Sequence, residues 1–223
     1  MASSSTPKPL PLYRRFTLWL GVAAAIAFAI LALAVRQEKT QTWDEQVLGS
    51  IYHSFLHILQ ASFVLMTAFG GALFVSLAAC FWVAVLLKQR KFPQAYFVLS
   101  SVGGAAVISL WLKLVFERPR PELWSWGVAE TSFSFPSAHA IASSALVLTG
   151  ILLAWNMAWR YRVITTGVVY LVIIGLSRLV LGVHYPSDII GGWLVGVTWV
   201  CISWLTTVYT WPFYQKKHRK ATK

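Results

Sequence analysis

Six apolar segments, each about as long as a membrane-spanning helix, set the strongest limit on how this chain can fold. They run from about Phe16 to Val35, Ala61 to Leu87, Ala95 to Phe116, Ala138 to Met157, Val163 to Leu181 and Ile189 to Tyr209. A helix needs about 20 apolar residues to cross the hydrocarbon core. Only 12% of the 223 residues are charged, against about 25% in soluble domains. The sequence predicts an all-α integral membrane protein with a six-transmembrane-helix bundle.

A further segment, between the first two spans, has the pattern of a short amphipathic helix. Within residues 43–60, apolar side chains such as Ile51 and Phe55 recur at roughly helical spacing, with polar residues between them. This pattern is typical of a helix lying along the membrane interface. His53 and His57 share one face of the segment, and we interpret them as surface or packing histidines.

The distribution of charge predicts the orientation in the membrane. With a cytoplasmic N-terminus, 13 of the 19 basic residues lie inside and all seven acids lie outside. Because Lys and Arg in short loops mark the cytoplasmic side, both termini are expected there. The basic residues lie in short runs beside apolar spans, so the net charge of +12 does not indicate a nucleic-acid partner. No obligate protein partner is inferred.

The domain organisation follows from these spans. We expect a cytoplasmic tail at 1–15, a single six-span domain at 16–210, and a basic cytoplasmic tail at 211–223. Short loops and basic ends favour a bacterial inner membrane. The first span has an alternative interpretation as a signal peptide, since Ala32-Leu33-Ala34 resembles a cleavage site. Its apolar run exceeds the usual length of about 7–15 residues, so we favour an uncleaved helix.

Three polar clusters lie at the outer ends of the predicted helices, and together they carry the groups that hold phosphate. The first contains Lys113, Arg118 and Arg120, and both arginines precede a proline. A residue before proline is held in extended conformation, and an extended arginine can present its fork to two phosphate oxygens. Arg178 lies at the end of the fifth span, where a buried guanidinium needs an anion such as phosphate.

The second and third clusters contribute two histidines, a serine and an aspartate. Ser137 stands directly before the fourth helix and is a good N-cap residue, and the N–H groups of a helix N-terminus favour bound phosphate. His139 follows in the first turn. Asp188 lies four residues after His184, so its carboxylate can bond Nδ1–H and leave Nε2 as the reactive nitrogen.

A metal site is the competing interpretation of these histidines and the aspartate. At least three cationic side chains accompany them, and these would repel a metal ion and attract phosphate. We therefore expect no metal and no cofactor. Cys80 and Cys201 lie in apolar stretches without the spacing of a metal site.

The order and spacing of the three clusters resemble the signature of the type 2 phosphatidic acid phosphatase (PAP2) superfamily. Lys113 is followed after six residues by Arg120-Pro121, and Ser177-Arg178 is followed after five residues by His184 and after three more by Asp188. The family's Pro-Ser-Gly-His motif appears as Pro-Ser-Ala-His at 136–139, where Ala138 replaces glycine. The added methyl would cost about 1 kcal/mol if this residue needed positive φ.

The resemblance implies an all-α six-helix bundle and a role for each matching residue. His184 is the implied nucleophile, Asp188 orients it, and His139 is the general acid and base. The implied phosphate-binding residues are Lys113, Arg120, Ser137, Ala138 and Arg178. Arg118 is an auxiliary residue, because the family spacing selects Arg120.

The implied activity is metal-independent hydrolysis of a lipid phosphate or diphosphate on the outer face of the membrane, through a phosphohistidine. Substrates of this class include undecaprenyl diphosphate, phosphatidylglycerophosphate, phosphatidate and diacylglycerol diphosphate. A lipid phosphotransferase and a phosphatase for a soluble phosphoester remain open. A non-catalytic transporter or scaffold is disfavoured because both histidines are present. Trp124 and Trp126, in the loop before the second cluster, are expected to anchor at the headgroup level or to form a lid.

Overall fold

Every regular element in the described part of this computed structural model is a helix; the structure describes residues 12–54, 58–122 and 130–221. A π-helical segment, Leu99–Gly103, joins α5 to α6. The helices are α1 (Leu12–Arg36), α2 (Gln41–Tyr52), α3 (Gln60–Ala68), α4 (Ala72–Lys88), α5 (Phe92–Val98), α6 (Gly104–Phe116), α7 (Ala138–Ala154), α8 (Arg160–Val180) and α9 (Pro186–Ala221).

Five helical stretches are long and apolar enough to cross a bilayer. They are Arg14–Arg36, Gln60–Lys88, Phe92–Phe116, Arg160–Val180 and Pro186–Thr210. The expected fourth span corresponds to α7, which is apolar but has only 17 residues. The prediction of an all-helical, multi-pass membrane protein is confirmed, and the count of six spans stays a prediction.

Two of the expected spans are interrupted. The second consists of α3 and α4, which meet at Gly70-Gly71, the glycine pair visible in the sequence. A Cβ added at Gly70 would collide with Cγ2 of Ile174 on α8. The missing side chain of Gly70 therefore allows α8 to approach closely. The third span consists of α5, the π-helical segment and α6. Such π segments often occur at functional sites.

The segment expected to form an amphipathic helix over residues 43–60 contains α2, which ends at Tyr52. Its buried residues are Asp44 and Leu48, and it packs against α8 and α9. Residues 55–57 lie outside the described part of the chain, and His57 is among them. That α2 lies along the membrane interface stays a prediction.

The last helix is the centre of the packing, because α9 contacts both α1 and α7 along their lengths. A Cβ added at Gly192 would lie 2.8 Å from the Ser137 carbonyl oxygen, and one at Gly196 would lie 2.9 Å from the Ile141 carbonyl oxygen. Small residues spaced four apart allow helix backbones to approach closely in membranes. The start of α7 is therefore held directly against the start of α9.

An aromatic cluster supports these two helix starts from the side of α1. Phe135 stacks on Phe28 with ring centroids 5.9 Å apart, and it meets Phe116 edge-on at 4.9 Å. A Cβ added at Gly191 would lie 2.7 Å from the Phe135 ring. Phe135 is fully buried, so it fixes the chain just before α7.

We expect Gly196→Ala to lower the stability of the bundle, because the new methyl meets the backbone of α7. Overpacking of this kind costs about 1–3 kcal/mol. The measurement is the thermal unfolding midpoint of the purified protein in detergent. Gly103→Ala is the matched control, since a Cβ there meets nothing within 4 Å. Equal midpoints for the two variants would contradict the close packing of α7 and α9.

Candidate active site

His184 and Asp188 face each other across the turn that leads into α9. His184 Nδ1 lies 3.2 Å from Asp188 Oδ2, and both side chains are buried. The same carboxylate oxygen accepts hydrogen bonds from the Tyr185 backbone N–H at 2.8 Å and from the Ser134 hydroxyl. The other ring nitrogen, Nε2, lies 3.3 Å from Arg120 Nη1. Asp188 therefore holds Nδ1 and leaves Nε2 facing the cationic side chains.

The surroundings of His184 favour its neutral form. Burial lowers the pKa of His184 well below its ordinary value, and the positive charges of Arg178, Arg120 and Lys113 lower it further. A neutral imidazole whose Nδ1 carries the proton has a free electron pair on Nε2. In this tautomer the free electron pair of Nε2 lies next to the positively charged Arg120.

Arg120 and Lys113 are held by the loop that follows residue 130. Arg120 donates to the backbone carbonyls of Ser132 and Val183, each at 2.7 Å. The Lys113 ammonium donates to the Ser132 hydroxyl at 3.2 Å and to the Phe133 carbonyl. Both cations are at least 90% buried. These contacts fix two positive charges at the edge of the site.

Arg178 and Arg120 share a single carboxylate, that of Glu130. Arg120 Nη2 lies 3.0 Å from Glu130 Oε2, and Arg178 Nη2 contacts the other oxygen, Oε1. Arg178 also donates to the Thr67 hydroxyl at 2.8 Å. The buried Arg178 does have an anion as its partner, and in this structure that anion is a side chain of the same protein.

Arg118 points away from Glu130 and pairs with two other acids. Its guanidinium lies 2.8 Å from Asp188 Oδ1 and 2.8 Å from Asp44 Oδ2. Burial alone would lower the pKa of Arg118, but Asp188 and Asp44 together raise it above its ordinary value. Arg118, which the sequence predicted to be auxiliary, thus forms an ion pair with the Asp188 carboxylate.

The start of α7 carries the second cluster. The Ser137 hydroxyl accepts a hydrogen bond from the Ala140 backbone N–H at 3.4 Å, which confirms the predicted N-cap. Ala138 is the first residue of the helix, so its backbone does not need the positive φ that would penalise its methyl group. A Cβ added at Gly71 would lie 3.7 Å from His139 Nε2. The break between α3 and α4 therefore lies against the imidazole.

The structure brings the sequence-predicted residues together at one end of the bundle. The positively charged side chains that act on His139 are Arg178, Arg120 and Lys113, the same three that act on His184. Ser137 joins the set through its backbone N–H, which donates to the Asp188 carbonyl at 3.1 Å. Within the described ranges, no group of three His, Cys, Asp or Glu side chains is arranged to hold a metal ion. Trp124 and Trp126 lie outside the described residues.

Three residues of the site were not identified from the sequence: Asp44, Glu130 and Ser134. Asp44 offers one signal, because it shares a helix face with Leu48 and Ile51 and an acid on an apolar face needs a partner. Glu130 is one acid in the loop between α6 and α7, and Ser134 is one of many serines. Their partners come from distant parts of the chain, so spacing along the sequence gives no sign of them.

A family model and several known proteins are similar to this chain. The PAP2 superfamily model matches residues 94–212. Phosphatidylglycerophosphatase B of Bacillus subtilis is 28% identical over 194 residues, covering 79% of this chain and 89% of that protein. An undecaprenyl-diphosphatase of Sulfolobus acidocaldarius is 36% identical over 192 residues, covering 84% and 89%.

A solved structure shows the same architecture. The crystal structure of a transmembrane PAP2-type phosphatidylglycerolphosphate phosphatase from Bacillus subtilis superposes with a TM-score of 0.75 at 25% sequence identity. The match covers 83% of this chain and 94% of the other. The likeness therefore extends over most of the chain.

We expect Glu130→Gln to strengthen the binding of inorganic phosphate, because the carboxylate occupies the two arginine forks that an incoming anion needs. Hydrogen bonds to charged groups are worth about 1.5–3 kcal/mol, so the inhibition constant should fall about tenfold. The measurement is competitive inhibition by phosphate, or direct binding by calorimetry.

Glu122→Gln is the matched control, since Glu122 is an exposed acid near the start of the same loop. Its phosphate affinity should stay within about twofold of the wild-type value, as is usual for surface substitutions. Weaker phosphate binding in Glu130→Gln would show instead that Glu130 holds the two arginines in place for the ligand.

Proposed function

Because this chain belongs to the PAP2 superfamily, and is therefore a membrane phosphatase, we propose that it hydrolyses a lipid phosphate or diphosphate through a phosphohistidine at His184. The observation that carries the proposal is the convergence of a neutral, oriented imidazole with Lys113, Arg120 and Arg178. These are the groups needed to attack phosphorus and to stabilise the charge on its oxygens.

The first step transfers the phosphoryl group to the protein. His184 Nε2 donates its electron pair to phosphorus, and the bond from phosphorus to the lipid oxygen breaks. The negative charge of the bound phosphate favours the protonated form of His139, which gives its proton to the leaving oxygen. The Nδ1 proton of His184 stays on the hydrogen bond to Asp188 Oδ2, so the carboxylate stabilises the positive charge that develops on the ring.

The second step releases phosphate. The now neutral His139 takes a proton from water, and the water oxygen attacks the phosphorus of the phosphohistidine. The bond between Nε2 and phosphorus breaks, which returns His184 to its neutral form and His139 to its protonated form. His139 thus gives one proton to the leaving oxygen in the first step and takes one from water in the second, and the net reaction consumes one water molecule.

The phosphoryl oxygens are held by the three cations and by the start of α7. Arg178 provides specific support, because its Nε is buried without a hydrogen-bond partner among the described residues. A phosphate oxygen between Arg178 and Arg120 would satisfy this donor and replace the Glu130 carboxylate. The Ser137 hydroxyl and the backbone N–H of Ala138, at the start of α7, complete the cradle in this proposal.

A lipid substrate is favoured by the apolar space beside the leaving-group side of the site. A cavity of about 540 Å³ lies between α4, α6 and α7. Its lining includes Gly103, Ala106 and Ala142, together with Ala138 and His139 of the second cluster. A soluble phosphoester would leave this space without an apolar partner, whereas a hydrocarbon tail would fill it. The named relatives act on phosphatidylglycerophosphate and undecaprenyl diphosphate, and substrates of this class are proposed here.

The proposed setting is the outer face of an inner membrane. In this arrangement α7 is a sixth, short span, α2 lies along the outer interface, and residues 16–210 form one domain between two cytoplasmic tails. The basic residues then concentrate on the cytoplasmic side, as their distribution requires. The catalytic groups all lie at the opposite end of the bundle, where His184 and Arg120 follow the outer ends of α8 and α6.

We expect His184→Ala to abolish phosphate release while EDTA leaves the wild-type rate unchanged. Loss of a nucleophile costs on the order of 10⁴-fold or more in kcat. The assay uses the purified protein in detergent with undecaprenyl diphosphate, phosphatidylglycerophosphate, phosphatidate and diacylglycerol diphosphate. His53→Ala is the matched control, because this exposed histidine lies at the end of α2.

Near wild-type turnover in His184→Ala would contradict the histidine mechanism. Inhibition of the wild-type protein by EDTA would instead favour a metal site. Phosphate release that depends on an added lipid acceptor would identify a phosphotransferase. The trapping of radiolabelled phosphate on the wild-type protein in acid-quenched reactions, and its absence in the variant, would detect the phosphohistidine directly.

We expect kcat/KM to persist as the pH falls through 6.5. Only the neutral imidazole is nucleophilic, and burial with the nearby cations lowers the pKa of His184 well below its ordinary value. The nucleophile therefore stays reactive at a pH where an ordinary histidine of pKa about 6.5 would be protonated. The substrate phosphate titrates at about pH 6, so its titration is measured by ³¹P NMR and divided out. An acidic limb at or above pH 6.5 would contradict the expectation.

A further inference from the structure

The guanidinium of Arg118 lies between two buried carboxylates from different helices. Nη1 donates to Asp188 Oδ1 at 2.8 Å, and Nη2 donates to Asp44 Oδ2 at 2.8 Å. Both aspartates are fully buried, and Arg118 is 8% exposed. A buried charge without a partner is strongly destabilising, so each of these three groups depends on the others.

Asp44 also holds the start of the helix that carries Asp188. Its Oδ1 accepts a hydrogen bond from the Ser187 backbone N–H at 2.9 Å, and its Oδ2 accepts one from the Ser187 hydroxyl at 2.6 Å. Ser187 is the second residue of α9, where backbone N–H groups have no partner within the helix. A carboxylate is favourable at this end of a helix. Asp44 thus fixes α9 from outside, one residue before Asp188.

Arg118 is turned away from the phosphate-binding groups. Its remaining donors contact the Ser187 hydroxyl at 2.7 Å and the Gln41 side-chain oxygen at 3.2 Å. The Tyr185 ring covers the guanidinium, with its centroid at 4.1 Å. Arg120, two residues later, instead contacts Glu130 and His184 Nε2. The two arginines of the first cluster therefore act on opposite sides of the same histidine.

We propose that Asp44 and Arg118 are positioning residues that hold the Asp188 carboxylate with one oxygen on His184 Nδ1. Arg118 takes Oδ1 and so leaves Oδ2 for the imidazole. Asp44 balances the charge of Arg118 and anchors the start of α9. This inference rests on the proposed role of His184 as nucleophile, and it replaces direct phosphate contact as the role of Arg118.

The proposal predicts two kinetic signatures. Arg118→Gln should lower kcat by about 10- to 100-fold, the effect of a misplaced catalytic group, and leave KM within about threefold because no substrate contact is lost. It should also move the acidic limb of kcat/KM to higher pH, since removal of a positive charge raises the pKa of His184. Asp44→Asn removes a negative charge and should not move the acidic limb of kcat/KM to higher pH.

The predicted directions of these pH shifts apply when the other charged groups around His184 are unchanged. The titratable and charged groups that face it from the packed elements are Lys113 on α6, Arg120 and Glu130 on the connecting loop, His139 on α7, Arg178 on α8 and Asp188 on α9. Arg118→Lys keeps the positive charge and loses the fork, so it should lower kcat without moving the limb.

The experiment measures kcat, KM and the pH profile of the full-length protein in detergent for Asp44→Asn, Arg118→Gln, Arg118→Lys and the double variant Asp44→Asn/Arg118→Gln. The double variant removes one charge of each sign, so its acidic limb should return toward the wild-type position. A purely structural defect would not be relieved by a second buried change. Matched controls are Glu45→Gln and Arg36→Gln, exposed charges on α2 and at the end of α1, and both should keep wild-type kinetics.

Three outcomes would overturn the inference. A rise in KM with unchanged kcat in Arg118→Gln would show that Arg118 binds the phosphate. An acidic limb that stays in place in Arg118→Gln, or stays shifted in the double variant, would remove the electrostatic link. His184→Ala, measured in parallel, separates a failure of the proposed function from a failure of the positioning role. Activity in His184→Ala would reject the proposed function. If that variant is inactive, the results for Asp44 and Arg118 test the positioning role alone.

Discussion

The rest of the site depends on the ion pair and the hydrogen bonds of the buried Asp188 carboxylate. One oxygen pairs with Arg118, and the other accepts from the Tyr185 N–H and lies 3.2 Å from His184 Nδ1. A carboxylate without water needs all of these partners, and they come from the loop after α6, from the turn before α9 and, through Arg118, from α2. Satisfying one buried charge therefore fixes the relative positions of three separate segments.

The buried cations of the site also need a partner of opposite charge. Arg120 and Arg178 lie close together and little exposed, so their mutual repulsion requires a negative charge between them. Glu130 supplies that charge in this structure. A phosphate group has the charge and the acceptor oxygens to replace it. In the proposed function a bound phosphate would replace the Glu130 carboxylate, so the two arginines would have a negatively charged partner both with and without the ligand.

Some of this arrangement could be predicted from particular residues. The spacing along the sequence predicted that Arg178, His184 and Asp188 lie around one turn after α8. Ser137 was recognisable as an N-cap because this serine precedes a long apolar run. The break at Gly70-Gly71 was visible as a glycine pair but not as a division of the span. Asp44, Glu130 and Ser134 were not found, because their partners lie 143, 48 and 54 residues away and no local pattern encodes such contacts.

The sequence by itself determined that the chain is an all-helical membrane protein with the PAP2 motifs in order, because hydropathy and spacing are local properties. Only the tertiary structure decided what each charge does. Arg118 and Arg120 occur in the same Arg-Pro pattern, yet one faces Asp44 and Asp188 and the other faces Glu130 and His184. The reason is physical: a buried ion is positioned by the counter-charge that the fold brings to it, and that partner belongs to another segment of the chain.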